Sequence, residues 1–465
     1  MNIPVLIAVL AVYFITMLAI GIIGSRKVGG DFDKMISADK GTTVIMFMGA
    51  AIGAHIGNGF VVGGAADGAA AGISGAWYGL VCAISYIFIL IFFNKKIYQK
   101  GFISMADFLR DRYHNDMTAI LFIVATCVGL IGNTGVQLMA GKAMFEALGL
   151  DGTTGVIILT LVVLAYSALS GLWGAYMTSA FQIGIITVGL VLTTIYLLAT
   201  GAVDSITSAF EAGELPDTYF NMLPNGISPV LSMLIPISTA VIADQCTVQR
   251  INSCKDYETS KKGWLYSIIL IFPLAVMPAF IGMFGAAEYG ATGNSAFFTV
   301  AINSLPSILA AIMMAAVLAA IMSTIDAFMV AISTMALHDV YQGLINPKAD
   351  SKKLVKWNYV VSIVIVVIAL IIALVATNII DMLCSVTAFV GAGCFVPFVG
   401  GLYWKKGTAK GAIAASVVGM IAMILHWLGI VTLPLNEVGG AVCSLVAYII
   451  VSLATQKDNL STEAA

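Results

Sequence analysis

Apolar runs of about 20 residues, the length that crosses a bilayer as a helix, recur along the whole chain and alternate with short polar stretches. They fall near 3–24, 42–70, 75–98, 117–149, 153–171, 173–200, 226–248, 262–287, 306–340, 355–378, 380–404, 408–430 and 436–456. The pattern predicts an all-α polytopic membrane protein with about thirteen transmembrane helices.

Two of these runs do not read as unbroken helices. From Ile45 to Gly72 the chain reads IMFMGAAIGAHIGNGFVVGGAADGAAAG, with glycines interleaved by His55, Asn58 and Asp67. Glycine costs about 1 kcal/mol against alanine inside a helix, and polar groups in lipid need partners. Such a segment packs closely against a neighbouring helix, or it breaks and turns freed backbone groups toward a cavity. The polar residues favour the break. The seventh run carries Pro229 and Pro236 together with Ser228, Ser232, Ser238 and Thr239. Proline frees a backbone carbonyl, so this run is the second candidate for a discontinuous helix. Setting the first helix apart, each broken run opens a group of five, the layout of a five-plus-five inverted repeat with a binding site at mid-membrane. The expected division is an N-terminal helix and loop (1–41), a first repeat (42–200), an acidic external loop (201–225), a second repeat (226–404) and C-terminal helices with a short tail (405–465).

Composition agrees: 60% of residues are hydrophobic and 10% charged, and the mean hydropathy is +1.01. No basic patch with interleaved aromatics suggests a nucleic-acid partner; the lipid bilayer is the expected environment. The seven cysteines form no CxxC pair and read as small buried hydrophobes. Charge fixes the orientation, because Lys and Arg gather on the cytoplasmic side. With the N-terminus outside and the C-terminus inside, every Lys and Arg but Lys142 falls on inner segments, while 201–225 holds four acidic residues and no basic one. The first apolar run has no positive start and is followed by Arg26 and Lys27, so it reads as an uncleaved helix. Residues 92–116 mix charges with Phe102, Met105, Phe108 and Leu109, which suits an interfacial helix on the cytoplasmic face.

Candidate chemistry sits inside the apolar runs. Asn133 and Gln137 share one helical face, as either an interhelical hydrogen bond or a solute contact. Ala320, Ser323 and Thr324 share another face of the ninth run. Their hydroxyls either bond back to their own helix or, with freed carbonyls, supply the oxygens a hard monovalent cation such as sodium wants. Asp326 is an ionisable residue at membrane depth, read either as a functional carboxylate or as a protonated hydrogen-bonding partner of a neighbouring helix.

The segments YSALSGLWGAYMTSAFQ (166–182), Gln249 with Arg250, AAIMSTIDAFMVAISTMALHDVYQ (319–342) and FVPFVGGLYWKKGTAKGAIAASVVG (395–419) occur in that order on the predicted helices. In them the chain resembles the sodium:solute symporter family over almost its whole length, with the choline-transporter branch nearest around 53–70 and 88–107. The resemblance implies a LeuT-type fold. It also implies a sodium site formed by the carbonyls of Gly53, Ile56 and Ala320 and the hydroxyls of Ser323 and Thr324. Many members have an aspartate directly after the threonine that corresponds to Thr178, and some use it for a second sodium. Here that place is Ser179, leaving Asp326 and Ser179 as candidates for a second cation or proton site. Substrate groups in the family come from the broken second span and from the helices near 117–149, 226–248 and 380–404, which nominates His55, Asn58, Asn133, Gln137 and Ser232. Where the choline branch holds a quaternary ammonium in an aromatic cage, two cage tryptophans correspond to His55 and Asn133.

The reading that follows is sodium-coupled import of a small polar organic solute, of amino-acid or organic-acid type, by alternating access. Proton coupling through Asp326 and transport of a choline-like organic cation are the alternatives. The membrane expected is the prokaryotic inner membrane. A membrane enzyme would need a clustered nucleophile or metal constellation, which four scattered histidines do not supply. A channel would need a continuous polar path. A fused signalling module finds no room in the few residues after Ser452.

Overall fold

The structure is a computed structural model that describes residues 2–375, 386–433 and 437–456, without the side chains of Leu169 and Glu437. Among the described residues all regular structure is helical. The chain begins with α1 (Ile3–Val28), capped by Asn2, and the short α2 (Phe32–Ser37). The glycine-rich run forms α3 (Val44–His55), a break at Ile56 to Asn58, a π-helical turn over Gly59–Gly63 and α4 (Gly64–Ala71). It continues through α5 (Trp77–Phe88) and α6 (Asn94–Lys100). The expected interfacial helix is α7 (Met105–Tyr113), which buries Met105, Phe108 and Leu109.

Then come α8 (Asp116–Ala147) and α9 (Gly152–Ala199), the latter kinked at Gly171. The acidic segment 201–225 is not wholly loop: it carries α10 (Ala202–Glu211), whose Ile206 and Ala209 face inward. The Pro-containing run forms α11 (Ser228–Ile242) and α12 (Gln245–Asn252), bent by 50°. The bend lies at Ala243 and Asp244, past both prolines. Pro236 stays within the helix; lacking an N–H, it leaves the carbonyl four residues back, at Ser232, without its helical donor.

The second half adds α13 (Tyr257–Tyr289), α14 (Ser295–Asn303) and α15 (Ser307–Thr334), and α15 runs on as a π-helix to Ile345. It closes with α16 (Ser351–Val375), α17 (Val396–Tyr403), α18 (Ala409–Trp427) and α19 (Glu437–Ala454). Nine described segments are long and apolar enough to span a bilayer, the bent pair α11–α12 makes a tenth, and three shorter apolar helices, Val44–His55, Gly152–Ala168 and Val438–Ala454, account for the rest. Every predicted span therefore falls on a helix. The part of the eleventh span at 380–385, Cys384 and Lys457 lie outside the described residues.

Helix α15 is the hub. Every residue from Met313 to Asp326 is buried, and the helix packs against α9, α8, α3 and α1. A helix apolar all round belongs inside a bundle. The glycines of the broken run serve packing as well as the break. A Cβ at Gly68 would stand 2.2 Å from the Ala279 carbonyl oxygen on α13, so α4 and α13 meet backbone to backbone. The six described cysteines are free thiols.

Candidate functional site

An unbroken helix would bring the residue-57 N–H to the Gly53 carbonyl. The chain leaves helical geometry at Ile56 (φ −85°, ψ 68°), and that carbonyl instead accepts the hydroxyls of Ser323 and Thr324, each at 3.0 Å. The same hydroxyls lie 3.1 and 3.0 Å from the Ala320 carbonyl on their own helix. Back-bonding and the cross-helix contact thus coexist at one point. Four oxygens share only two hydroxyl protons, so the cluster has more lone pairs than donors. Such an electron-rich, uncharged oxygen set suits a hard monovalent cation. Ser323 is 0% and Thr324 2% exposed. Ile56 is buried at the break itself. On the α9 side Ser179 borders the cluster: a Cβ at Gly53 would lie 3.1 Å from the Ser323 Cβ and 3.4 Å from that of Ser179.

Asp326, one turn along α15, is completely buried. It faces different neighbours from Ser179. The Ser167 hydroxyl donates to its Oδ1 and the Thr178 hydroxyl to its Oδ2, the latter at 2.8 Å. Close by, the Gln182 amide donates to the Tyr13 hydroxyl at 2.9 Å, and Tyr13 reaches the Met322 sulfur at 3.4 Å. This polar seam ties α1 to α9 and α15.

Beside the oxygen cluster opens a cavity of about 250 Å³. His55, Asn133, Gln137 and Ser232, four of the residues nominated as solute contacts, line it together, and so does Thr324. The fifth, Asn58, is buried and is not among the lining residues. Its backbone N–H, freed by the break, donates to Gln137 Oε1 at 2.9 Å. Gln137 Nε2 donates in turn to Asn133 Oδ1 at 3.1 Å. Gln137 therefore bonds across helices and also lines the cavity. It comes so close that a Cβ at Gly57 would stand 2.8 Å from its amide nitrogen and oxygen.

His55 is oriented from behind. Tyr86 donates its hydroxyl to the Ala51 carbonyl at 2.5 Å, while His55 Nδ1 lies 3.0 Å from the same carbonyl and 2.9 Å from the Tyr86 oxygen. Tyr86 itself is wedged against Trp264, with ring centroids 4.9 Å apart.

Two acidic lining residues escaped the reading of the sequence. Asp244 is 7% exposed and stands at the N-terminus of α12, where the α11–α12 pair bends. Its signal was a carboxylate inside an apolar run, the same signal that singled out Asp326. Asp67, noted only as a helix-disfavouring residue, lines the cavity from α4. Gln249 and Arg250 lie on α12, outside the lining. Gln249 Nε2 donates to Thr334 at 2.7 Å, and the Arg250 guanidinium sits 5.8 Å over the Trp264 ring.

The sequence model of the sodium:solute symporter family matches residues 36–419. The chain is 26% identical over 363 residues to the sodium/pantothenate symporter of Haemophilus influenzae, covering 75% of this chain and 74% of that one. It is 25% identical over 479 residues to the osmoregulated proline transporter OpuE of Bacillus subtilis, covering 98% and 96%. Among solved structures, a substrate-bound, outward-open Na+-coupled sialic acid symporter superposes with a TM-score of 0.83 at 17% identity, over 97% of this chain and 98% of that one. That likeness carries the fold, which is LeuT-type.

Proposed function

Because the chain belongs to the sodium:solute symporter family, and is thus an integral membrane transporter and no enzyme, we propose that it imports a small polar organic solute, of amino-acid or organic-acid type, together with sodium. The sodium site of this reading comprises the carbonyls of Gly53, Ile56 and Ala320 and the hydroxyls of Ser323 and Thr324. The solute occupies the adjoining cavity, with His55, Asn133, Gln137 and Ser232 as contacts and Asn58 holding the break from behind. The membrane is a prokaryotic inner membrane, with the N-terminus outside and the C-terminus in the cytoplasm. The two inverted repeats run over 42–200 and 226–404. Alternating access then opens the cavity to each side in turn around the site between the repeats.

The observation that carries the reading is the convergence of Ser323, Thr324 and Ala320 on the Gly53 carbonyl at the helix break. The test is the variant with Ser323→Ala and Thr324→Ala together. It removes both side-chain oxygens and leaves the carbonyls, so sodium affinity falls by about a hundredfold or more, taking roughly 1.5–3 kcal/mol for each charge-assisted contact. Solute binding measured in sodium weakens with it, since coupling is reciprocal. Unchanged sodium dependence of uptake into proteoliposomes would refute the assignment.

A second reading attaches to Asp326. A fully buried carboxylate whose hydrogen-bond partners among the described residues are the hydroxyls of Ser167 and Thr178 calls for a proton or a second cation to offset its charge. This supports a reading of Asp326 as a site of proton coupling or of an additional ion, with Ser179 on the neighbouring face of α9.

A further inference from the structure

The lining of the solute cavity has a charge and a hydrogen-bonding sense. Among the described residues its ionisable acids are Asp67 and Asp244, and no Lys or Arg lines it. Arg250, on the same short helix as Asp244, lies over the Trp264 ring outside the lining, from where its charge acts on Asp244, so the two lining acids outnumber it. An anionic solute would bring a like charge to these carboxylates in a site of low dielectric, whereas a cationic group would be matched there.

The hydrogen bonds point the same way. The Ala51 carbonyl is an acceptor only, and His55 Nδ1 lies 3.0 Å from it, so Nδ1 carries the imidazole proton. Tyr86 has its own proton on that carbonyl, which leaves its oxygen free to accept from His55. In the neutral ring the remaining nitrogen, Nε2, is then a bare acceptor. Gln137 accepts the Asn58 N–H at its oxygen and gives one of its two amide N–H groups to Asn133. Because Asn133 Oδ1 accepts from Gln137, the Asn133 NH₂ and the second N–H of Gln137 are the amide donors left over for an oxygen of the solute.

Resting on the symport reading and sharpening it, we propose that the solute carries a protonated amine with at least one N–H, recognised by the Asp244 carboxylate and by Nε2 of His55. Within the solute class proposed above, this selects the amino-acid type over the organic-acid type. It also rejects quaternary ammonium compounds, which have no N–H for His55. Among the described lining residues the aromatic rings besides His55 are those of Tyr78 and Phe328, too few to enclose such a group in a cage.

The test is thermal stabilisation of the purified full chain in sodium chloride against potassium chloride. The probes are the standard amino acids, their amine-free counterparts (propionate for alanine, cyclopentanecarboxylate for proline), glucose and choline. Only compounds with an amine N–H should stabilise the wild type in sodium. Asp244→Asn should weaken that binding by about thirtyfold or more, the loss of one partner from a buried charge pair. The shift given by sodium alone should persist in this variant, which verifies that it folds. Stabilisation of the wild type by an amine-free acid, by glucose or by choline overturns the proposal. So does wild-type amine binding in Asp244→Asn, or a panel in which no amine stabilises. The symport reading fails separately, if sodium alone gives the wild type no shift that the Ser323 and Thr324 replacements abolish.

Discussion

Gly57 offers the sharpest test of how the break is held. An alanine Cβ there would lie 2.8 Å from Gln137 Nε2 and Oε1 and 3.0 Å from its Cδ, closer than packed atoms tolerate. The obstruction is the end of a flexible side chain, so the clash is relieved by swinging the amide away. The swing is what costs energy. It breaks the Asn58 N–H bond to Oε1 and the Gln137 bond to Asn133. An orphaned buried N–H is worth roughly 1–3 kcal/mol and a lost ordinary hydrogen bond roughly 0.5–1.5, so Gly57→Ala should destabilise by about 2–4 kcal/mol. In the Gln137→Ala background both bonds are already gone and the space is open. Gly57 is not among the positive-φ glycines, so alanine suits its backbone and restricts the unfolded chain. There the same replacement should be neutral or stabilising by about 0.4–1 kcal/mol. The assay is a double-mutant cycle on reversible unfolding of the detergent-solubilised protein. Simple additivity of the two changes, in place of a reversal of sign, would show that Gln137 is not what Gly57 makes room for.

Two further expectations come from a buried acid and a half-buried one. Asp326→Asn keeps the size of the side chain but turns one acceptor, facing either Ser167 or Thr178, into a donor. Sodium-dependent uptake should fall by about tenfold or more, and wild-type rates would identify Asp326 as a neutral hydrogen-bonding partner. At the interfacial helix, burial works against ionisation of Asp107, but the hydrogen bond and charge of His338 at 3.0 Å, with Arg110 at 3.6 Å, outweigh it and hold this carboxyl below its ordinary value. A lowered folded-state value stabilises fully above the unfolded value of about 3.9, and the contribution is lost as pH falls through the folded value. Asp107→Asn should therefore lower thermal stability at neutral pH and flatten its decline below about pH 4; an acid profile identical to the wild type counts against this.

The helices and the first break were legible because both are written in composition. Lipid demands long apolar runs, and the glycines with His55 and Asn58 mark where a run cannot stay helical. The second break was legible only as to its helix. The prolines announced it, yet it falls at Ala243 and Asp244, because a proline can remain in a helix when its effect is one unpaired carbonyl lining a cavity. Contacts between distant helices were not legible. Nothing in the sequence says that Tyr86, on α5, fixes the imidazole of His55, or that Asn58 turns its backbone toward Gln137. Such pairs are set by bundle geometry, which hydrophobic periodicity does not encode. Asp326 and Ser179 both face the α9–α15 contact, but successive residues of a helix point about 100° apart, so Thr178, not Ser179, meets the carboxylate.

The spacing along α3 bears on coupling. Gly53 offers its carbonyl to Ser323 and Thr324, and Gly57, four residues on, abuts the amide that receives the Asn58 N–H. His55 lies between them and lines the cavity, and Thr324 both touches the Gly53 carbonyl and lines the cavity from the opposite helix. An ion drawing on the Gly53 carbonyl and a solute drawing on His55 would thus both address the last turn of α3, which leads directly into the break at Ile56 to Asn58. Whichever binds first orders that turn, and the second then meets a site whose ordering cost is already met, so each raises the affinity of the other by the same factor. Gly57→Ala loosens the break through Gln137, itself a proposed solute contact, and leaves the oxygens of Gly53, Ser323 and Thr324 in place; it should therefore weaken solute binding and its dependence on sodium more than it weakens the binding of sodium alone.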